Sequence, residues 1–140
     1  CYVLYYHTKG VVSELTFGEN NPAMDSIKSW RNLLEYFNIE EWKDCLTQLE
    51  HYDTVGCLYV TEGHLEGEPY INYYAGNFWW SKSEYITRLD NIGEKFKGDR
   101  LLAEKWIGSS YHSWFNFYSV AVESYYTINF KREDYIKKVD

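Results

Sequence analysis

The chain has 140 residues, the length of one domain and enough to bury a real hydrophobic core. Its 14 basic and 21 acidic residues leave a net charge of −7, which argues against duplex nucleic acid or an anionic membrane as the main partner. No apolar run approaches the length of a transmembrane helix.

Aromatic residues supply 20% of the chain, with 15 Tyr and 6 Trp, more than a core of this size needs. Tyr and Trp join an apolar body to a polar tip, so the surplus favours a binding cleft. Cys1, Cys45 and Cys57 are odd in number and lack a C-x-x-C spacing. That pattern suits a reducing compartment and buried free thiols better than a disulfide framework or a zinc site.

The chain opens Cys1-Tyr2-Val3-Leu4-Tyr5-Tyr6 without Met and already inside a strand-like run. It therefore reads as a fragment lacking its N-terminal part, with any signal peptide unseen. The run of residues 2–6 stops at His7-Thr8-Lys9-Gly10, and residues 16–23 are polar and turn-rich, a mobile connection. From Asp25 or Ser26 the period becomes helical through Ile27, Trp30, Leu33, Leu34 and Phe37, until Asn38 breaks it. A second helix is expected from about Glu40 to Glu50, with Trp42, Cys45, Leu46 and Leu49 on one face.

Residues 54–60 read as a buried strand, followed by a Gly- and Glu-rich loop over 61–69 and a strand over 77–81. A short helix is expected over 83–89, a charged loop over 93–99 and a helix over 100–107. An aromatic strand (112–118), a strand-like run (120–128) and a last short helix (133–139) complete the chain. The early alternation of strands and helices predicts an α/β domain with a mostly parallel sheet.

Tyr73-Tyr74-Ala75-Gly76-Asn77-Phe78-Trp79-Trp80 is the most informative stretch. Adjacent Trp residues in a strand face opposite ways, so one of Trp79 and Trp80 meets either a ligand or a second layer. Gly76 permits close approach to the backbone, and Asn77 offers a donor and an acceptor. An aromatic wall beside a small residue and an amide suits a sugar, whose C–H face stacks while its hydroxyls bond. The same residues also suit a core strand with a β-bulge.

His7 and Lys9 lie just past a strand end, where open α/β sheets bind ligands. Lys9 suits a phosphate, and His7 suits a phosphate oxygen or a metal; a solvated Lys and an incidental His are the plainer account. Trp30 belongs to the apolar helical stripe, and Arg31 beside it faces either a cleft or water. Asp53 suits a turn or cap at a strand entry. Glu104 is either a surface partner of Arg100 four residues earlier or a carboxylate general base. His51, His64 and His112 show no ligand spacing, and the chain contains no D-x-D, P-loop, G-x-S-x-G or H-E-x-x-H motif.

Five pieces in order, Tyr5-Tyr6-His7-Thr8-Lys9-Gly10, Ser29-Trp30-Arg31, Tyr52-Asp53-Thr54-Val55-Gly56, Ala75-Gly76-Asn77-Phe78-Trp79-Trp80 and Ala103-Glu104-Lys105-Trp106-Ile107, resemble a glycosyltransferase family of bacteria and large viruses. The resemblance spans about residues 2–108, and its Gly-Asn-Phe-Trp-Trp piece is the most specific. It implies a GT-A-like single α/β domain with a mostly parallel mixed sheet flanked by helices. Residues 1–140 would be its C-terminal portion, with the first part of the nucleotide-binding half missing.

The implied reaction is transfer of a hexosyl or deoxyhexosyl group from a nucleotide-diphosphate sugar to a glycan or other hydroxyl acceptor, in the cytoplasm of a bacterium or virus-infected cell. His7, Lys9 and Arg31 would face the donor diphosphate; Tyr73, Gly76, Asn77, Trp79 and Trp80 would line the sugar and acceptor pocket; Glu104 would be the general base. The place of a metal-binding D-x-D holds His7-Thr8-Lys9, and Lys105 stands where many relatives carry a second acid. A divalent cation, Mn or Mg, with His7 as ligand is the one cofactor in view, and no organic cofactor is expected. The alternative is a non-catalytic carbohydrate-binding module using the same aromatic wall. The motif order also predicts that His7, Asn77 and Glu104 converge on one pocket.

Overall fold

The computed structural model describes residues 1–8, 18, 20–61, 72–91, 93–94, 100–121 and 124–138, without the side chains of 100–102. Strand β1 (Tyr2–Tyr5) leads to helix α1 (Pro22–Glu35), a π-helical stretch (Tyr36–Glu40) and helix α2 (Trp42–Leu49). Strands β2 (Thr54–Gly56), β3 (Tyr59–Thr61), β4 (Asn72–Tyr74) and β5 (Trp79–Lys82) follow, then the short helix α3 (Ser83–Ile86). Helix α4 (Arg100–Lys105) continues into a 3₁₀ turn (Trp106–Gly108), and β6 (Trp114–Asn116) and α5 (Arg132–Tyr135) close the chain.

The central sheet has the order β1-β5-β2-β6, and β3 and β4 pair as a separate antiparallel ribbon. Strand β5 runs antiparallel to both β1 and β2, and β2 runs parallel to β6. The fold is thus mixed α/β, with parallel and antiparallel ladders in one helix-flanked sheet. The expectation of a mostly parallel sheet is corrected, since two of the three ladders are antiparallel. Parallel neighbours need a long crossover, which the passage through α3 and α4 supplies between β2 and β6. Between β2 and β5 no helix occurs among the described residues, and the chain returns antiparallel.

Alternation sends the two Trp of β5 to opposite faces. Trp79 joins Tyr74, Tyr85 and Ile107, while Trp80 packs with Cys45, Leu49 and Val55 beneath α2. The third and largest cluster gathers Trp30, Leu33, Leu34 and Phe37 of the first helical region against Leu58 and Phe78. Burial raises the Cys45 thiol to about 12, and it also holds Cys57 far above the usual thiol range. Both cysteines are buried and free.

Several element boundaries shift for local reasons. Helix α1 begins at Pro22 because the Asn21 side chain accepts a hydrogen bond from the Ala23 amide (2.9 Å) and Pro suits the first turn. Asn38 loosens the helical run instead of breaking it. Its Nδ2 donates to the Leu34 carbonyl at 2.9 Å, an acceptor a normal helix reserves for the backbone, and Glu41 N reaches Tyr36 O five residues back. The single strand expected over 54–60 is two strands, since Leu58 adopts φ +55° and redirects the chain. The aromatic strand over 112–118 shortens to β6, and the strand-like run over 120–128 holds no strand among its described residues. Instead the Ser124 carbonyl accepts from the Thr127 amide and hydroxyl.

The C-terminal segment is laced to the first helical region. Phe130 N donates to Ser29 Oγ at 3.0 Å, and Lys137 N donates to Tyr36 Oη at 2.7 Å. Arg132 pairs with Glu40, and Lys137 with Glu41 and Asp44. Exposed ion pairs of this kind contribute little; burial of Phe130 and Tyr135 carries more of the attachment.

Next to the sheet, Tyr59 and Tyr85 hydroxyls meet His112. The imidazole Nδ1 donates to Ser110 O at 2.7 Å, and its Nε2 accepts from the Tyr59 hydroxyl at 2.9 Å. Burial pulls the His112 pKa below the ordinary value, against the opposing pull of the Ser110 carbonyl and Asp53.

Two predictions arise from this packing. A Cβ on Gly56 would lie 2.7 Å from the Tyr74 ring, so Gly56→Ala should cost about 1–3 kcal/mol by overpacking, read as a lower urea midpoint. The second concerns pH. His112 binds a proton more readily unfolded than folded, so the stability it contributes is present above the unfolded value of about 6.5. That contribution should fall as pH drops below 6.5 and level off below the folded pKa. Thermal midpoints measured across that range should show the decline, and His112→Gln should flatten it.

Candidate functional site

The Gly-Asn pair that links β4 to β5 forms a tight turn. Asn77 N donates to Tyr74 O at 2.9 Å, and Gly76, third of the four turn residues, has φ +94°. That is the backbone of a type II turn, in which glycine is favoured at this place. Asn77 continues in the left-handed region at φ +60°, which Asn tolerates better than most residues. Space makes the same demand on Gly76. A Cβ there would sit 2.5 Å from Leu34 Cδ1 and 3.2 Å from the Trp30 indole nitrogen, so α1 closes directly onto the turn.

Two polar side chains from distant parts of the sequence grip this turn. His7 Nε2 donates to the Gly76 carbonyl at 2.9 Å, and the Gly76 amide donates to Glu104 Oε1 at 2.6 Å. A carbonyl only accepts, so the His7 proton on this bond sits on Nε2. The His7 ring is set edge-on to Phe78, with centroids 5.4 Å apart. His7 and Glu104 therefore meet at Gly76, although 97 positions separate them; of the three residues expected to converge on one pocket, only Asn77 lines the pocket beside the turn.

Beside the turn lies a pocket of about 210 Å³ lined by Tyr5, Asn77, Trp79, Ala103 and Trp106. Trp79 is 4% exposed and forms an inner wall. Tyr5 stacks on it at 5.1 Å with 14° between the ring planes, and Trp106 stands 6.4 Å away at 47°. The Trp79 indole N–H donates to Asn77 Oδ1 at 2.9 Å, which fixes the amide. The Trp106 indole N–H donates to Asp90 O at 2.8 Å. The result is a small aromatic recess with one oriented amide at its edge.

The other anticipated residues are dispersed. Trp80 lies on the far face of the sheet, its indole N–H donating to Asn38 O at 2.8 Å. Its assignment to the same pocket as Trp79 is corrected, because a strand cannot present adjacent residues to one side. The Tyr73 ring lies under the Lys105 ammonium at 5.5 Å and against the large core, outside the lining of the pocket. Arg31 pairs with Glu35 at 3.8 Å along its own helix. Lys9 and His64 lie outside the described residues, as does the Arg100 side chain that would pair with Glu104.

No group of three or more His, Cys, Asp or Glu side chains placed to hold a metal ion occurs among the described residues. The metal-ligand assignment of His7 thus has no companion ligands there, and its Nε2 is already engaged. Tyr5, Ala103 and Trp106 are the lining residues that the motifs did not assign. The signal for Tyr5 was its spacing of two from His7, which puts both on one side of an extended chain.

No family model, no curated protein and no solved structure matches the chain.

The Glu104 contact separates two variants cleanly. Glu104→Ala leaves a buried amide without its acceptor and should cost about 1–3 kcal/mol. Glu104→Gln keeps an acceptor oxygen of the same reach and should cost much less. Urea denaturation of the two proteins compares them directly.

Proposed function

We propose that the chain is the acceptor-side portion of a GT-A-like glycosyltransferase that moves a sugar from a nucleotide-diphosphate donor to a hydroxyl acceptor. The observation that carries this reading is the joint grip of His7 and Glu104 on the Gly76 turn, at the edge of an aromatic recess. The recess is smaller than the roughly 300–1,000 Å³ of pockets for drug-sized ligands, a scale that suits one sugar ring. Tyr5 and Trp106 are its outer aromatic walls, and the Asn77 amide is the polar group oriented to meet a hydroxyl.

Each polar residue has a defined task in this reaction. The Gly76 amide orients the Glu104 carboxylate, leaving the second oxygen to accept the proton of the acceptor hydroxyl. His7 already spends its Nε2–H on Gly76, so it donates to a diphosphate only through a protonated Nδ1. Lys9, by sequence two residues further on, is the cation assigned to the developing charge on the leaving diphosphate. Holding the two sugars together in one orientation supplies much of the rate. A divalent cation, Mn or Mg, would add charge at the same place.

One observation favours the rival class, a carbohydrate-binding module: the Glu104 carboxylate also has a sufficient structural task in holding Gly76. The two readings differ on nucleotide binding and on transfer. As a transferase, the intact protein should bind UDP or GDP. Glu104→Gln should then lower single-turnover transfer by on the order of 10²–10⁴-fold while donor affinity hardly moves. A protein that binds neither diphosphate by calorimetry, yet binds sugar, belongs to the rival class. A Glu104→Gln variant that transfers at the parent rate removes Glu104 as the base and makes Asp53 the next candidate.

A further inference from the structure

Trp106 and Gly108 belong to one turn of 3₁₀ helix but open onto different spaces. Trp106 lines the aromatic recess, and Gly108 lines a second cleft of about 600 Å³, against about 210 Å³ for the recess. The segment from Gly108 to Trp114 forms most of this cleft, and Tyr52 and Asn72 complete it. Asn72 and Gly108 belong together because a Cβ on Gly108 would collide with the Asn72 backbone.

The chemistry of the lining is selective. Every described lining residue is Tyr, Trp, Ser, Asn, Gly or His. The single imidazole, His112, is occupied by the Ser110 carbonyl and the Tyr59 hydroxyl, with Tyr85 Oη a further 3.2 Å neighbour. Asp53 stands at the edge of the cleft with its charge already engaged: its Oδ2 accepts from the Ser113 amide and faces Arg88 at 3.8 Å. Among the described lining residues a phosphate or a metal ion would find no charged side chain. Hydroxyl groups and ring faces are what it presents.

Those groups are available. Tyr111 is 96% exposed, and Trp114 is stacked on Tyr59 at 4.1 Å while remaining 38% exposed. The Ser110 and Tyr111 side chains make no hydrogen bond among the described residues. The Asn72 side chain, by contrast, is turned inward: it hydrogen-bonds Tyr59, and its Oδ1 is closed off from solvent. Aromatic platforms flanking hydroxyls form the usual chemistry for an uncharged polyhydroxyl ligand.

We propose that this cleft is a binding site for a neutral oligosaccharide, distinct from the Gly76 recess, with Tyr111 and Trp114 as stacking platforms and the Ser110 hydroxyl as a polar partner. Its volume falls within the range that holds ligands larger than one ring. The inference stands on the cleft's own lining and does not depend on glycosyl transfer.

The test uses the whole chain and titrates it calorimetrically with cellotetraose, maltotetraose, chitotetraose and mannotetraose, with tetragalacturonate as the acidic control. At least one neutral tetrasaccharide should bind in the millimolar range or tighter, and the acidic one should not compete. Tyr111→Ala removes a side chain that holds nothing in place, so its thermal midpoint should match the parent. Its affinity should fall at least about tenfold through loss of one stacking platform. UDP binding should be the same in both proteins, whatever its value, so failure of the transferase reading leaves this result intact. The proposal is overturned if no neutral tetrasaccharide binds, or if binding is unchanged in Tyr111→Ala. It is equally overturned if that variant changes only the sedimentation coefficient, which would make Tyr111 a contact between copies of the chain.

Discussion

One peptide segment, at Gly76, ties the elements of this domain together. Its carbonyl is held from the end of β1 by His7, and its amide is held from α4 by Glu104. Its missing side chain is the space into which Leu34 and Trp30 of α1 pack. Three segments that share no local sequence relation thus converge on one residue whose backbone only glycine adopts readily. Both polar groups of the residue are satisfied within a buried region, where leaving either unpaired would be costly. The shape of the aromatic recess follows from this arrangement, because Asn77 and Trp79 are positioned by the turn that Gly76 makes possible.

The two Trp residues after that turn divide the rest of the core between them. Trp79 faces the recess and the cluster of Tyr74, Tyr85 and Ile107. Trp80 faces α2 and ties the sheet to the π-helical stretch through its bond to the Asn38 carbonyl. Asn38 therefore serves twice, its side chain widening the helix at Leu34 and its carbonyl receiving the sheet. Aromatic burial of this extent outweighs the surface pairs. Arg31–Glu35 and Arg88–Asp53 are both 3.8 Å apart on partly exposed side chains, a geometry worth about 0–1 kcal/mol.

The close approach of Gly108 to Asn72 has a comparable organising effect on the other side of the ribbon. It brings the 3₁₀ turn against β4, so that Trp106 and Gly108 face separate cavities. The Tyr59–His112–Tyr85 group then lies behind the larger cleft, where Ser110 and Ser113 anchor the loop to His112 and to Asp53. Two cavities of unlike chemistry come from one short stretch of chain. The recess is mainly aromatic, and the cleft is lined by hydroxyls and exposed rings.

Much of this was legible in the residues, and the reason for the remainder is physical. The helical period of Ile27, Trp30, Leu33 and Leu34, the strand at Trp79 and the opposite facing of its two Trp are local properties, set by 3.6- and 2-residue repeats. So was the mixed α/β class, and so was the suspicion that Gly76 meets close backbone or side-chain contact. The antiparallel ladders of β5, the bend at Leu58 and the recruitment of Tyr5 and Trp106 to one recess were not local. They depend on which segments approach across long stretches of chain, and periodicity carries no information about that. Glu104 shows the division most plainly: its position on a helix is a matter of sequence. Its bond to an amide 28 residues away exists only because the tertiary fold brings α4 against the turn at Gly76.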